Sequence, residues 1–156
     1  MLIRTKINGE VRELDGEPHT ALVDLLRDAG YKGVKVGCRE GVCGACTVLV
    51  DGRARHSCHM FAAQVQGREV TTIEGLGTPD RPHPLQQAFV DVGAVQCGFC
   101  TPGAILSARA LLDEVPDPTE QEVREALDGN LCRCTGYVKM VEAVHLAATR
   151  LREEQR

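Results

Sequence analysis

The sequence predicts an α+β fold in which a small sheet crossed by one helix is followed by an all-α module of four helices. Two observations carry this expectation. As far as Ile73 the apolar residues fall in short runs punctuated by Asn8-Gly9 and Asp51-Gly52, the strongest short-range signals for β-hairpins. From Pro84 onward they recur at spacings of three and four, the period of a helix. Between these regions, Gly75-Leu76-Gly77-Thr78-Pro79-Asp80-Arg81-Pro82-His83-Pro84 holds two glycines and three prolines and reads as a linker. The expected division is a first domain at 1–76, a linker at 77–83 and a second domain at 84–156.

In the first half, the runs 2–7 and 10–14 flank Asn8-Gly9 and form the first hairpin. Thr20 is the candidate N-cap of a helix whose apolar residues are Ala21, Leu22, Leu25, Leu26 and Ala29, with Gly30 as the stop. Runs 47–50 and 53–56 form a second hairpin about Asp51-Gly52, a short helical piece is expected over 59–64, and a last strand over 69–73.

In the second half, Pro84 suits a first helical turn, with Leu85, Ala88, Phe89 and Val92 on one face and Gly93 at the end. Thr101-Pro102 opens the next helix, with Ile105, Leu106, Ala108, Leu111 and Leu112 as its stripe and Pro116 as its limit. Thr119-Glu120-Gln121-Glu122 is a capping box ahead of Val123, Ala126 and Leu127. The last helix carries Tyr137, Val141, Val144, Ala148 and Leu151.

Composition narrows what such a chain does. Of 156 residues, 43% are hydrophobic but only 3% aromatic, and Trp is absent. A core short of bulky rings gains from metal cross-links. The net charge of −4 argues against non-specific nucleic-acid binding. No run approaches the length of a membrane span and the start lacks the apolar stretch of a secretion signal, so a soluble, cytoplasmic protein is expected.

The eight cysteines then need an explanation in a reducing compartment. Cys38, Cys43 and Cys46, followed by Cys58, have the C-x4-C-x2-C…C spacing that holds a [2Fe-2S] cluster in plant-type ferredoxins. Gly37, Gly41 and Gly44 let the backbone fold tightly round such a group and bring N–H groups toward the sulfurs. Cys97 and Cys100 fall between the first two helices of the second half, and Cys132 and Cys134 between the last two, each pair just before a helix N-terminus that favours negative charge. Two helical hairpins pressed turn against turn bring these four sulfurs together. Structural zinc would suit the second group but not the four-residue gap after Cys38, and disulfides do not suit a leaderless chain. Arg39 and Arg133 are candidates to offset cluster charge, although ordinary surface ion pairs explain them as well.

Four stretches together, 37–49, 72–76, 96–103 and 129–137, resemble the small iron–sulfur subunit of the molybdenum hydroxylases, the group that includes xanthine dehydrogenase, aldehyde oxidoreductase and aerobic carbon monoxide dehydrogenase. The resemblance runs from about Ile3 to about Val144. It implies a plant-ferredoxin-like β-grasp domain and then a four-helix domain, each with one [2Fe-2S] cluster. It also implies a large partner subunit with molybdopterin, where substrate is hydroxylated, and a medium partner subunit with FAD, assembled as a dimer of heterotrimers. Electrons would pass from molybdenum through the helical-domain cluster to the N-terminal cluster and then to FAD, with this chain a non-catalytic relay. By the same likeness Gln96 hydrogen-bonds the pterin and Cys134 is the ligand nearest it. Purines, other N-heterocycles, aldehydes and carbon monoxide are all open as substrates of the complex.

Two departures from the usual pattern bear on the flavin-side contact, the run Tyr31-Lys32-Gly33-Val34-Lys35 before the first cysteine and His59 where an aliphatic residue is common. His56 and His59 beside Cys58 raise Rieske-type ligation, which four available cysteines make unnecessary. The other histidines, His19, His83 and His145, read as surface residues. A free-standing single-cluster carrier would not need the second cysteine group, and a zinc-stabilised interaction protein would be colourless where ferric clusters are brown.

Overall fold

The computed structural model describes residues 1–154. Its first half is a five-stranded mixed sheet built from β1 (Leu2–Ile7), β2 (Glu10–Asp15), β3 (Thr47–Val50), β4 (Arg53–His56) and β5 (Glu69–Thr71), in the order β2-β1-β5-β3-β4. β1 and β2 pair antiparallel from Leu2 opposite Asp15 to Ile7 opposite Glu10, and their turn takes φ of 51° at Asn8 and 87° at Gly9. Both central residues are left-handed, as a hairpin matched to strand twist requires. Asp51 and Gly52 repeat this at φ 50° and 79° between β3 and β4. β5 runs parallel to β1 and antiparallel to β3 and so joins the two hairpins into one sheet.

α1 (Leu22–Asp28) lies across this sheet and buries Leu22, Val23, Leu25 and Leu26 against Ile3 and Ile7 of β1, Val48 and Val50 of β3 and Val70 of β5. Gly30, at φ 100°, ends it, with the Gly30 and Tyr31 N–H groups donating back to Arg27 and Leu26. Thr20 is not the N-cap: Ala21 is, and no side chain caps the helix. The chain at 20–22 is instead paired to 60–62, with the Leu22 N–H on the Met60 carbonyl and the Ala62 N–H on the Thr20 carbonyl. That pairing also interrupts the helix expected over 59–64, which becomes two 3-10 turns, Ser57–His59 and Ala62–Val65, on either side of extended Met60. The last strand stops at Thr71, and Ile73–Gly75 turns away.

The second half consists of α2 (Pro84–Asp91), α3 (Thr101–Glu114), α4 (Glu120–Leu127) and α5 (Val138–Glu154). Its core joins Leu85 and Phe89 of α2, Ile105 and Ala108 of α3, Val123 and Leu127 of α4, and Met140, Val144 and Ala147 of α5. The expected box caps α4, with the Thr119 hydroxyl accepting from the Glu122 N–H and the Glu122 carboxylate accepting from the Thr119 N–H. His83 departs from its expected surface role. It is half-buried as the N-cap of α2, with Nδ1 facing the Leu85 N–H at 3.1 Å and Nε2 facing the Arg109 guanidinium at 2.8 Å.

The halves touch along α3. All four residues of β3 are buried, because α1 covers one face of the sheet and α3 packs on the other. Leu49 and Leu106, buried yet outside both cores, belong to this junction.

Candidate functional site

The loop before β3 turns back on itself through Arg39 at φ 60°, Gly41 at 71° and Gly44 at 70°. Arg39 bears a side chain in a region that disfavours one, and its guanidinium is anchored by two 2.8 Å bonds to the Asp24 carboxylate of α1. That ion pair, rather than neutralisation of a cluster, is the arginine's visible engagement, and it holds the Asp24 carboxyl below its ordinary value. Gly37 is needed for room and not for its φ, since a Cβ there would come within 2.7 Å of the Cys43 sulfur.

This loop and the turn after β4 bring Cys38, Cys43, Cys46 and Cys58 together in pairs. The Cys38 thiol lies against Cys43 and the Cys58 thiol against Cys46. N–H groups of Glu40 and Cys43 point at the Cys38 sulfur from 3.3 and 3.4 Å, and the Cys58 N–H points at the Cys46 sulfur from 3.4 Å. The N–H groups of Glu40, Cys43 and Val42 hold the Cys38 thiol down at about 6, whereas burial, reinforced by Cys46, pushes Cys58 up to about 11. His56 donates Nδ1–H to the Gly41 carbonyl at 2.8 Å, and the His59 ring packs on Gly41. Both histidines thus support the loop.

Helix geometry assembles the second set. Cys100 is the N-cap of α3, and Gly98, at φ 80°, turns the chain back to Cys97. Cys132 and Cys134 come from the α4–α5 connection. α5 itself begins only at Val138, after left-handed Gly136 and Tyr137, so this pair sits farther from its helix than the spacing suggests. The Tyr137 hydroxyl accepts from the Cys132 N–H at 2.8 Å and fixes the turn. The thiols again pair, Cys97 with Cys134 and Cys100 with Cys132.

Three donors converge on the Cys132 sulfur, the N–H groups of Cys134 and Thr135 at 3.4 and 3.3 Å and the Thr135 hydroxyl at 3.2 Å. Burial works to raise this thiol, but the Thr135 hydroxyl and the two N–H groups outweigh it and leave Cys132 at about 7. Burial pushes Cys100 up to about 12, and the Cys97 thiol raises Cys134. Next to Cys100, the Thr101 hydroxyl is the buried side-chain polar atom that lacks a hydrogen-bond partner among the described residues. Gln96 donates its amide to the Cys134 carbonyl at 3.0 Å, which places the glutamine beside the exposed thiols Cys97 and Cys134.

The donor sets suit a two-iron group better than a single ion. The eight donors are all thiols, in two sets of four with N–H groups aimed at their sulfurs, a chemistry that fits a [2Fe-2S] group in each set. The buried Asn130, which joins the two cysteine loops, carried no signal of this role in the sequence beyond its place before Cys132.

Comparisons with known proteins agree with this geometry. Residues 5–72 match the model of a 2Fe-2S iron-sulfur cluster binding domain and residues 72–145 that of a [2Fe-2S] binding domain. The nicotinate dehydrogenase small FeS subunit of Eubacterium barkeri is 51% identical over 95% of this chain and 95% of its own length. Among solved structures, quinoline 2-oxidoreductase from Pseudomonas putida 86 superposes with a TM-score of 0.94 at 43% identity, covering 100% of this chain and 98% of that one. Aldehyde oxidoreductase from Desulfovibrio gigas superposes at 0.95 with 43% identity over 99% of this chain, which spans 17% of that longer polypeptide.

Proposed function

The chain belongs to the small [2Fe-2S] subunits of the molybdenum hydroxylases, the xanthine dehydrogenase and aldehyde oxidoreductase family, and on that premise we propose that its eight thiols hold two clusters that relay electrons between a molybdopterin subunit and an FAD subunit. The ligand sets proposed are Cys38, Cys43, Cys46 and Cys58 in the domain at 1–76, and Cys97, Cys100, Cys132 and Cys134 in the domain at 84–156. The observation that carries this reading is the convergence of backbone N–H donors on cysteine sulfurs in both sets. When bound, a [2Fe-2S] cluster supplies a one-electron site whose potential is set by charge, hydrogen bonds to sulfur and exposure.

The chain's own residues provide those controls. N–H groups aimed at Cys38, Cys46 and Cys132 stabilise negative charge on sulfur and so favour the reduced state. Burial of Cys46 and Cys100 keeps water from one side of each set. Gln96 and Cys134, joined by their hydrogen bond, form the proposed contact with the pterin of the large subunit. Exposed Phe99, Leu131 and Val138 surround the second set in sequence, and exposed Val42 and Phe61 flank the first. Apolar surface at both supports two partner contacts, one per cluster. The proposed order is molybdenum, helical-domain cluster, N-terminal cluster, FAD, within a dimer of heterotrimers.

The complex is a hydroxylase for a purine, aldehyde or N-heterocycle. Relatives named for nicotinate, quinoline and aldehydes all lie close, so this subunit carries the class and not the compound. A cytoplasmic location belongs to the same proposal, since thiols destined for iron stay reduced there. No described helix is long and apolar enough to cross a membrane.

Iron analysis with low-temperature electron paramagnetic resonance of the dithionite-reduced protein tests the reading, which expects about four irons per chain and two distinguishable signals. One signal with half that iron removes the helical-domain set from the account.

A further inference from the structure

The two cysteine loops meet at a point that neither core explains. Gly44, between Cys43 and Cys46, is held between two other glycines. A Cβ on Gly44 would fall 2.0 Å from the Gly129 carbonyl oxygen, and one on Gly103 would fall 2.3 Å from the Gly44 carbonyl oxygen. Gly103 sits in the first turn of α3, close after Cys100, and Gly129 shortly precedes Cys132. Three main-chain segments, each adjoining a thiol, therefore pack backbone on backbone, and the one side chain that reaches both Gly44 and Gly103 is the amide of Asn130.

Asn130 closes this junction. It is 3% exposed, and its amide donates to the Gly44 carbonyl at 3.2 Å and to the Thr47 hydroxyl at 3.3 Å. The Thr47 hydroxyl in turn donates to the Gly44 carbonyl at 2.7 Å. A buried amide is costly unless it is paired, and an apolar residue could fill a domain junction without that cost. What the amide adds is direction, since its bonds form at one register of the two loops only. The next residue completes the link. The Leu131 N–H donates to the Cys43 carbonyl at 2.8 Å, the one backbone hydrogen bond that joins the two cysteine loops among the described residues.

We propose that Asn130 is a positioning residue that locks the two thiol sets at a fixed separation, with the Leu131 N–H to Cys43 carbonyl bond as the chain's own bridge between them. The bridge runs from the Cys43 sulfur along its side chain to its carbonyl, across the 2.8 Å bond, and along the Leu131 backbone to the Cys132 sulfur. Electron transfer falls steeply with separation and passes more readily along covalent and hydrogen-bonded links than across gaps. A register held by main chain and one buried amide is therefore a control on rate as well as on shape. The inference rests on the two-cluster reading above.

The test uses the assembled holoenzyme, with both clusters reduced by dithionite so that each splits the other's resonance lines. Gly103→Ala, which drives a side chain into the Gly44 carbonyl, and Asn130→Ala, which deletes the amide, are compared with the unaltered enzyme. The expected result is a several-fold loss of mutual splitting in Gly103→Ala and a smaller loss in Asn130→Ala. Iron content, the separate line shapes and the midpoint potentials should stay as they were. A role in folding alone would lower iron content or stability and leave the splitting of the loaded fraction unchanged, and that result overturns the proposal.

Should Gly103→Ala fail to load iron, amide hydrogen exchange on the unaltered holoenzyme decides. The Leu131 amide is expected to exchange more slowly than the other turn amides, and exchange at the rate of an open turn overturns the bridge. A single cluster signal in the unaltered enzyme would instead overturn the two-cluster reading and this inference with it, an outcome distinct from two clusters with unchanged splitting.

Discussion

The two cysteine sets reach the same local chemistry by different routes. In the N-terminal half three thiols share one loop and the fourth returns beside them on a hairpin, so the spacing of a single stretch reveals the set. In the helical half two pairs from distant turns meet only because α2–α3 and α4–α5 pack together. Yet each set has one thiol held acidic by hydrogen-bond donors, Cys38 at about 6 and Cys132 at about 7, and one raised by burial, Cys58 to about 11 and Cys100 to about 12. The lesson is that sulfur environment is set by local turns, whereas exposure is set by topology. Cys97 and Cys134 stay open to a partner, and in the first set no thiol is as exposed.

The strongest way to break the comparison is to remove one ligand from each side. Cys43→Ser and Cys134→Ser should each cost one cluster's signal or shift it strongly, with iron falling toward about two per chain. In rapid mixing with substrate, the Cys134 variant should leave both clusters oxidised while molybdenum is reduced. The Cys43 variant should still reduce the helical-domain cluster and delay only the flavin. Prompt flavin reduction in the Cys134 variant would reverse the proposed order.

The cores differ next. Phe89 is the one fully buried phenylalanine of the chain, since Phe61 and Phe99 are exposed, and the fully buried residues of the sheet core are aliphatic apart from Cys46. Phe89→Ala should destabilise by about 3–5 kcal/mol, whereas Ile3→Val in β1 should cost about 1 kcal/mol. Urea unfolding of the two variants measures this, and equal losses would remove the distinction between the cores.

What the sequence revealed, and what it hid, follows the same line. Asn8-Gly9, Asp51-Gly52 and the Thr119–Glu122 box act within a few residues of themselves, and each appears in the structure where it was read. Thr20 misled because its segment pairs with 60–62, a contact some forty residues away in sequence. His83 misled because its environment comes from Arg109 on another helix. Gly44, Gly103 and Asn130 gave no local sign of their meeting, because close approach of backbones has no periodicity to read.

His83 offers a smaller test confined to the helical half. Both its ring nitrogens face donors, the Leu85 N–H and the Arg109 guanidinium, and a neutral imidazole has one lone pair to offer them. Burial first, then the charge of Arg109, lowers it from 6.5 to about 4, against a weaker opposing pull from Asp113. Between those values the unfolded chain binds the extra proton and the folded chain does not, so stability is full above pH 6.5 and falls as pH drops toward 4. With allowance for solvent screening the loss is about 2 kcal/mol. His83→Asn keeps a capping side chain without the titration and should flatten this slope in urea unfolding between pH 7 and pH 5. An unchanged slope would assign it to other groups.

The finest test separates the donors on the two acidic thiols. Those on the Cys38 sulfur are backbone N–H groups, which no side-chain substitution removes. Cys132 depends in part on a side chain, the Thr135 hydroxyl at 3.2 Å. Thr135→Val keeps the shape and the 3.3 Å backbone bond from Thr135 while deleting that donor. A reduced cluster carries more negative charge on its sulfurs than an oxidised one, so a lost donor weakens the reduced state and lowers the potential. One hydrogen bond worth about 1 kcal/mol corresponds to ~40 mV for a one-electron couple. A redox titration followed by electron paramagnetic resonance should therefore show the helical-domain signal shifted down by ~40 mV and the N-terminal signal in place. A shift of both signals would mean that the donors act through the common fold, and a shift of neither would mean that the backbone bonds alone set the charge on Cys132.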